Sequence, residues 1–161
     1  MTSTTVPVGF AELYERHYEA VFRAARRVTG NPADAEDVLQ TVFLRVLARG
    51  EGLDAASLPA AYFRRAAVNA AVDVLRRRAV HAASTYDDLA PHAAVERPPL
   101  LKEQLRRAIA TLESDDAALF LLRHVEGLSI EELAETFQLE KHNVAVRLHR
   151  IRIRLQAELE R

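Results

Sequence analysis

Apolar residues recur at steps of three and four along most of the chain. Phe10, Leu13, Tyr14, His17, Val21, Ala24 and Val28 form the first such stripe, the spacing of one face of an α-helix. The stripe predicts a helix from Phe10 to Thr29, after a polar stretch, residues 1–9, that is expected to be disordered. Gly30-Asn31-Pro32 stops that helix and starts the next, with Asn31 as cap and Pro32 at the first helical position. Val38, Leu39, Val42, Phe43, Val46 and Leu47 make the buried stripe of a second helix that runs to about Arg49. Arg49 to Leu58 is a loop, with Gly50 and Gly52 giving it freedom. A third helix follows, capped by Ser57, with Pro59 in its first turn and its end near His81. It carries two apolar rows: Phe63, Ala67, Ala70 and Val74, and beside them Val68, Val72 and Leu75.

Periodicity then stops. Residues 82–99 hold Pro91, Pro98 and Pro99 and the acidic pair Asp87-Asp88, and they read as a flexible linker between two domains. The second domain, residues 100–161, opens with a stripe of Leu101, Leu105, Ile109 and Leu112. Ser114 is placed to cap the next helix, with Asp115 and Asp116 in its first turn and Ala118, Leu119, Leu122 and Val125 facing inward. After Gly127, Ser129 and Glu132 have the spacing of a capping box ahead of Ile130, Leu133, Ala134 and Phe137. A tight turn at Gln138 leads into a last helix with Val144, Leu148, Ile151, Leu155 and Leu159 on one side. The expected fold is all-α: two small helical domains, 10–81 and 100–161, joined by the linker.

A short helix, a turn and a basic second helix suit the DNA major groove, where the second helix reads base edges. The net charge of −1 hides the distribution that matters. Tyr62 to His81 holds five Arg against one Asp, and Lys141 to Gln156 holds five bases and no acid. Asn31 to Leu44 holds three acids and no base. Two basic patches and one acidic patch imply two nucleic-acid contacts and a separate partner surface. In the third helix Arg65, Asn69, Asp73, Arg76 and Arg77 are read as one polar row. Asn is a poor mid-helix residue, so an Asn among Arg side chains points to base and phosphate contacts. Asp73 pairing with Arg77 on a solvated surface is the plainer alternative.

The remaining composition mostly excludes. With no cysteine, there are no disulfides and no cysteine-based zinc sites. The six His show no metal-ligand pairing on one helix face. No cofactor is expected. Asp34, Glu36 and Asp37 lie where acids serve a helix N-terminus, and no nucleophile or phosphate-cradling loop accompanies them, so an enzyme is not expected. There is no signal peptide and no apolar run of bilayer length, so no membrane insertion and a cytoplasmic location are expected.

Two stretches carry a family resemblance. Asp34-Ala35-Glu36-Asp37-Val38-Leu39-Gln40-Thr41-Val42-Phe43-Leu44-Arg45-Val46 resembles the core-binding segment of bacterial RNA polymerase sigma factors. Leu122-Arg123-His124-Val125-Glu126-Gly127-Leu128-Ser129-Ile130-Glu131-Glu132-Leu133-Ala134 resembles the start of their fourth-region helix-turn-helix, and Arg147-Leu148-His149-Arg150 its end. Two motifs in the right order are far more specific than either alone. The brevity resembles the extracytoplasmic-function (ECF) subfamily of the sigma-70 family, which keeps only the second and fourth regions.

The resemblance implies a division of labour. Asp37, Gln40, Thr41 and Leu44 would dock on the β′ clamp helices of core RNA polymerase, with the β subunit a further contact. The loop 49–58 with Arg65, Asn69, Asp73, Arg76 and Arg77 would handle the −10 element of promoter DNA. Lys141, His142, Asn143, Arg147 and Arg150 would read the −35 element. The linker would thread toward the RNA exit path, and an anti-sigma factor is an expected partner. Several residues depart from the family pattern. Gln138 stands where a turn Gly is usual, Glu140 where a hydroxyl cap is usual, and Ala145-Val146 where Lys-Ser is common. Thr41 replaces a frequent Glu, and Leu47 and Tyr62 stand where relatives often have Trp. The altered recognition helix motivates one alternative to a sigma factor, a sigma-like decoy or adaptor binding an anti-sigma factor; a stand-alone helix-turn-helix regulator is a second, against which the core-binding segment argues.

Overall fold

The computed structural model describes residues 9–49, 58–84 and 100–161. The Ser57 cap, most of the loop after Arg49 and the proline-rich stretch lie outside the described residues. Among the described residues there are seven helices and no strand: α1 (Phe10–Thr29), α2 (Pro32–Ala48), α3 (Ala60–Ser84), α4 (Leu100–Ala110), α5 (Ser114–His124), α6 (Ile130–Phe137) and α7 (Lys141–Leu159).

Local chemistry sets most of these ends. Gly9 caps α1 in a left-handed conformation, its carbonyl accepting from Leu13 N–H at 2.9 Å. Gly30 ends α1 at φ 81°, a conformation that only Gly adopts without strain. Asn31 Oδ1 accepts from the Asp34 N–H at 2.8 Å and so caps α2, with Pro32 just inside it. α3 continues to Ser84, three residues past its expected end near His81. The expected Ser114 cap is not formed. Glu113 occupies the N-cap, and Ser114 is the first helical residue of α5.

The first three helices pack on one another through Leu13, Val21, Val38, Val42, Phe43, Phe63 and Val72, all buried. His17 joins this core, its ring stacked on Phe63 with centroids 4.1 Å apart. In the second half, α4 to α7 surround Ile109, Leu112, Leu119, Leu122, Leu133, Val144, Leu148, Ile151 and Leu155. Leu101 departs from the predicted stripe: it is exposed, and the buried face of α4 begins later.

α3 packs against α1 and α2 on one side and against α4 and α5 on the other. Its two apolar rows explain this. Phe63, Ala67, Val68, Ala70, Ala71, Val72, Val74 and Leu75 are all buried, so α3 is apolar around most of its girth, the pattern of a central helix.

Candidate nucleic-acid interface

The helix-turn-helix is built as its sequence dictates. Ser129 Oγ accepts from Glu132 N–H at 3.0 Å, and Glu132 Oε1 accepts from Ser129 N–H at 3.2 Å, closing the capping box of α6. Gln138 ends α6 with φ 54°, the one positive-φ non-glycine residue among those described. A side chain there is strained, and Gly would not be. Glu140 is the N-cap of α7 and makes no side-chain capping bond. Lys141 is drawn back across the turn, its ammonium donating to Glu131 Oε1 at 2.9 Å. That hydrogen bond, reinforced by the Lys141 charge, holds the Glu131 carboxyl below its ordinary range.

A groove runs along the outer side of α7. His142, Asn143, Arg147 and Arg150 line it together with Asp116, Leu139 and Val146. Four of the five residues expected to read the upstream element therefore share one surface. His142, Asn143 and Arg150 are exposed, whereas Arg147 is half-buried. Its Nε donates to Asp116 Oδ1 at 2.6 Å, so a recognition-helix arginine is already paired with a carboxylate of α5.

A second groove lies between α2 and α3. Asp37, Gln40, Thr41 and Leu44 line it, with Leu44 62% exposed, a large share for a leucine. Asp34, Arg77 and Arg78 complete its walls. Asp34 is not free for a partner, because it accepts from both Asn31 and Arg78.

The polar row of α3 divides. At about 3.6 residues per turn, Arg65, Asn69, Asp73 and Arg76 fall within a quarter of a turn, while Arg77 lies about a third of a turn from Arg65. Arg77, at the far edge of the row, also lines the α2–α3 groove. Asp73 pairs with Arg76 at 3.7 Å, three residues on, and not with Arg77. Two members of the row, Arg65 and Arg76, reach the second half of the chain. Arg65 donates to the Thr136 carbonyl at 3.2 Å, lies 3.6 Å from Asp115 and stacks over the Phe137 ring at 4.3 Å. Arg76 donates to the Leu112 carbonyl at 2.6 Å and to Ser114 Oγ at 3.0 Å. These acceptors were invisible in the sequence because Ser114, Asp115 and Asp116 read as an ordinary helix start. The only available signal was that one turn held a hydroxyl and two acids when a cap needs a single group.

Near the expected loop, Tyr62 is half-buried and packs edge-on against Phe63, with the Arg49 guanidinium 5.9 Å above its ring. Among the described residues no group of His, Cys, Asp or Glu could hold a metal ion, and no helix is long and apolar enough to cross a membrane.

Comparison with known proteins adds independent findings. Residues 13–80 match the family model described as Sigma-70 region 2, and residues 102–155 match Sigma-70, region 4. The RNA polymerase sigma-E factor of Streptomyces avermitilis is 31% identical over 154 residues, covering 94% of this chain and 85% of the relative. The ECF RNA polymerase sigma factor SigM of Mycobacterium tuberculosis is 30% identical over 149 residues, covering 91% and 74%. The fold is similar to that of the sigma factor RpoE, solved in complex with the anti-sigma factor NepR from Bartonella quintana, with a TM-score of 0.52 and 21% identity over 94% of this chain and 96% of that one.

Proposed function

The chain belongs to the sigma-70 family of bacterial RNA polymerase sigma factors, in its ECF group, and from that membership we propose how its surfaces divide the work of an alternative sigma factor. Such a factor binds core RNA polymerase and directs it to a subset of promoters. The observation that carries this function is the presence of both sigma regions, in order, on one chain.

Residues 10–84 form the region that holds core polymerase and the −10 element, and residues 100–161 the region that holds the −35 element. Asp37, Gln40, Thr41 and Leu44 dock on the β′ clamp helices: they share one groove, and its exposed leucine is suited to burial against a partner helix. Arg77 stands in the same groove and contributes there. Arg65, Asn69, Asp73 and Arg76 face the −10 element. Their guanidinium groups supply phosphate contacts, and opening comes from binding energy as unstacked bases are captured. His142, Asn143, Arg147 and Arg150 read the −35 element, with Lys141 at the edge of that surface. The chain catalyses no bond chemistry of its own and works in the cytoplasm, where the polymerase is. An anti-sigma factor is a further partner.

Leu44→Asp tests the division. It places a charge on an exposed position, so the fold survives. Loss of core-polymerase binding in a pull-down, with duplex binding by the second half retained, supports the assignment. Undiminished core binding removes it.

A further inference from the structure

Resting on the DNA contacts proposed above, we propose that the segment Leu112–Asp116 is an internal stand-in for promoter phosphate, holding DNA-facing arginines of both halves and keeping the unbound chain closed. Four acceptors fall within these five residues. The Leu112 carbonyl and Ser114 Oγ take Arg76, the Asp115 carboxylate faces Arg65, and the Asp116 carboxylate takes Arg147. Guanidinium groups bind carboxylate and phosphate oxygens by the same forked geometry. An oxygen-rich turn at this place therefore competes for the groups a DNA backbone would use. While α5 occupies it, the Arg65 and Arg76 guanidinium groups are engaged and their side chains are only 35% and 32% exposed.

The closure is held from a second side, away from any DNA-facing residue. Arg106 Nε donates to the Val28 carbonyl at 2.9 Å, and its guanidinium lies over Gly30. A Cβ at Gly30 would fall 2.5 Å from that guanidinium and would displace it.

A third contact works against closure. The Glu126 side chain is only 9% exposed, its Oε1 is buried without a hydrogen bond, and its Arg27 counter-charge stands 3.8 Å away across the same interface. A buried carboxylate in that condition disfavours the closed form, and opening would hydrate it. The closed state is thus poised to open. His142, Asn143 and Arg150 are exposed while Arg65 and Arg76 are partly covered and already paired, so the upstream element engages before the −10 element.

Three full-length variants test this: S114A/D115N/D116N, R106A and E126Q. Each is checked for helix content by circular dichroism. Small-angle scattering then gives the radius of gyration, and fluorescence anisotropy gives binding to a labelled single-stranded oligonucleotide of random sequence. The triple variant and R106A should expand and bind at least ~5-fold tighter, because apparent affinity scales with the open fraction. E126Q should stay closed and bind more weakly than wild type. Wild-type dimensions in both opening variants would overturn the clasp. Expansion with unchanged, measurable affinity would overturn the occlusion. Expansion with no DNA binding by any form would overturn the DNA contacts proposed above, and the occluding role with them. If the triple variant loses helix content, R106A, which keeps every acceptor of the segment, decides alone.

Discussion

Arg76 and Leu112 tie the two halves of the chain together: the Arg76 guanidinium donates to the Leu112 carbonyl at 2.6 Å. Leu112 itself is 2% exposed, so removing the donor leaves a carbonyl with little access to water. An unsatisfied buried acceptor costs about 1–3 kcal/mol. Arg76→Ala should therefore lower the melting temperature by several degrees. Arg77→Ala, one residue on but exposed, should stay within about 0.5 kcal/mol of wild type. Thermal denaturation of the two variants side by side measures the difference.

Gln138 sits at φ 54° at the turn of the helix-turn-helix. The left-handed conformation costs a side-chain-bearing residue roughly 1–2 kcal/mol, while Gly gives back about 0.5–1 kcal/mol in chain entropy. Gln138→Gly should raise stability by somewhat less than 1 kcal/mol, read as a rise in the midpoint of urea denaturation. A fall in that midpoint would mean that the Gln138 side chain stabilises the turn by more than its backbone strain costs.

Arg147 and Arg150 lie on one groove but differ in what holds them. Arg147 is paired with Asp116 at 2.6 Å, and Arg150 is exposed. Arg147→Ala should lower stability by about 1.5–3 kcal/mol, the range for a charge-assisted hydrogen bond, and should also weaken binding to upstream duplex. Arg150→Ala should weaken that binding with stability unchanged. Each loss of a phosphate contact should reduce the salt slope of binding by about one, which a salt titration by anisotropy reports.

His17 is buried against Phe63, and burial, then the nearby Arg16 charge, pushes its pKa below the ordinary value of 6.5. The unfolded chain therefore takes the proton first. The stability tied to neutral His17 is fully present above about pH 6.5 and is lost as pH falls toward the lowered value. His124, lowered by burial and then by Arg152 and Arg123, acts in the same direction. Melting temperature should drop on acidification through this window, and His17→Gln should flatten the drop in part.

How much of this could be read from the chain depended on how local each cause was. The limits of α1 and the capping box of α6 follow from residues within one turn of each other, so Gly30, Ser129 and Glu132 announced them. The tight turn at Gln138 was legible too, but its left-handed φ of 54° was not, because Gln itself carries no signal for that conformation. Ser114 was not: a hydroxyl before two acids reads as a cap, yet its partner is Arg76, 38 positions away. Arg77 continues the four-residue steps of Arg65, Asn69 and Asp73, but each step drifts about 40° around the helix, so that it also borders the α2–α3 groove. The two apolar rows of α3 were visible, but what the second row would meet was settled only by the packing of α4 and α5.

The most direct test of the central claim is run-off transcription with purified core RNA polymerase on a library of genomic fragments. Discrete start sites that appear only when this protein is added, sharing two upstream sequence elements, are the predicted result. Core polymerase that binds the protein yet yields no such transcripts would contradict it.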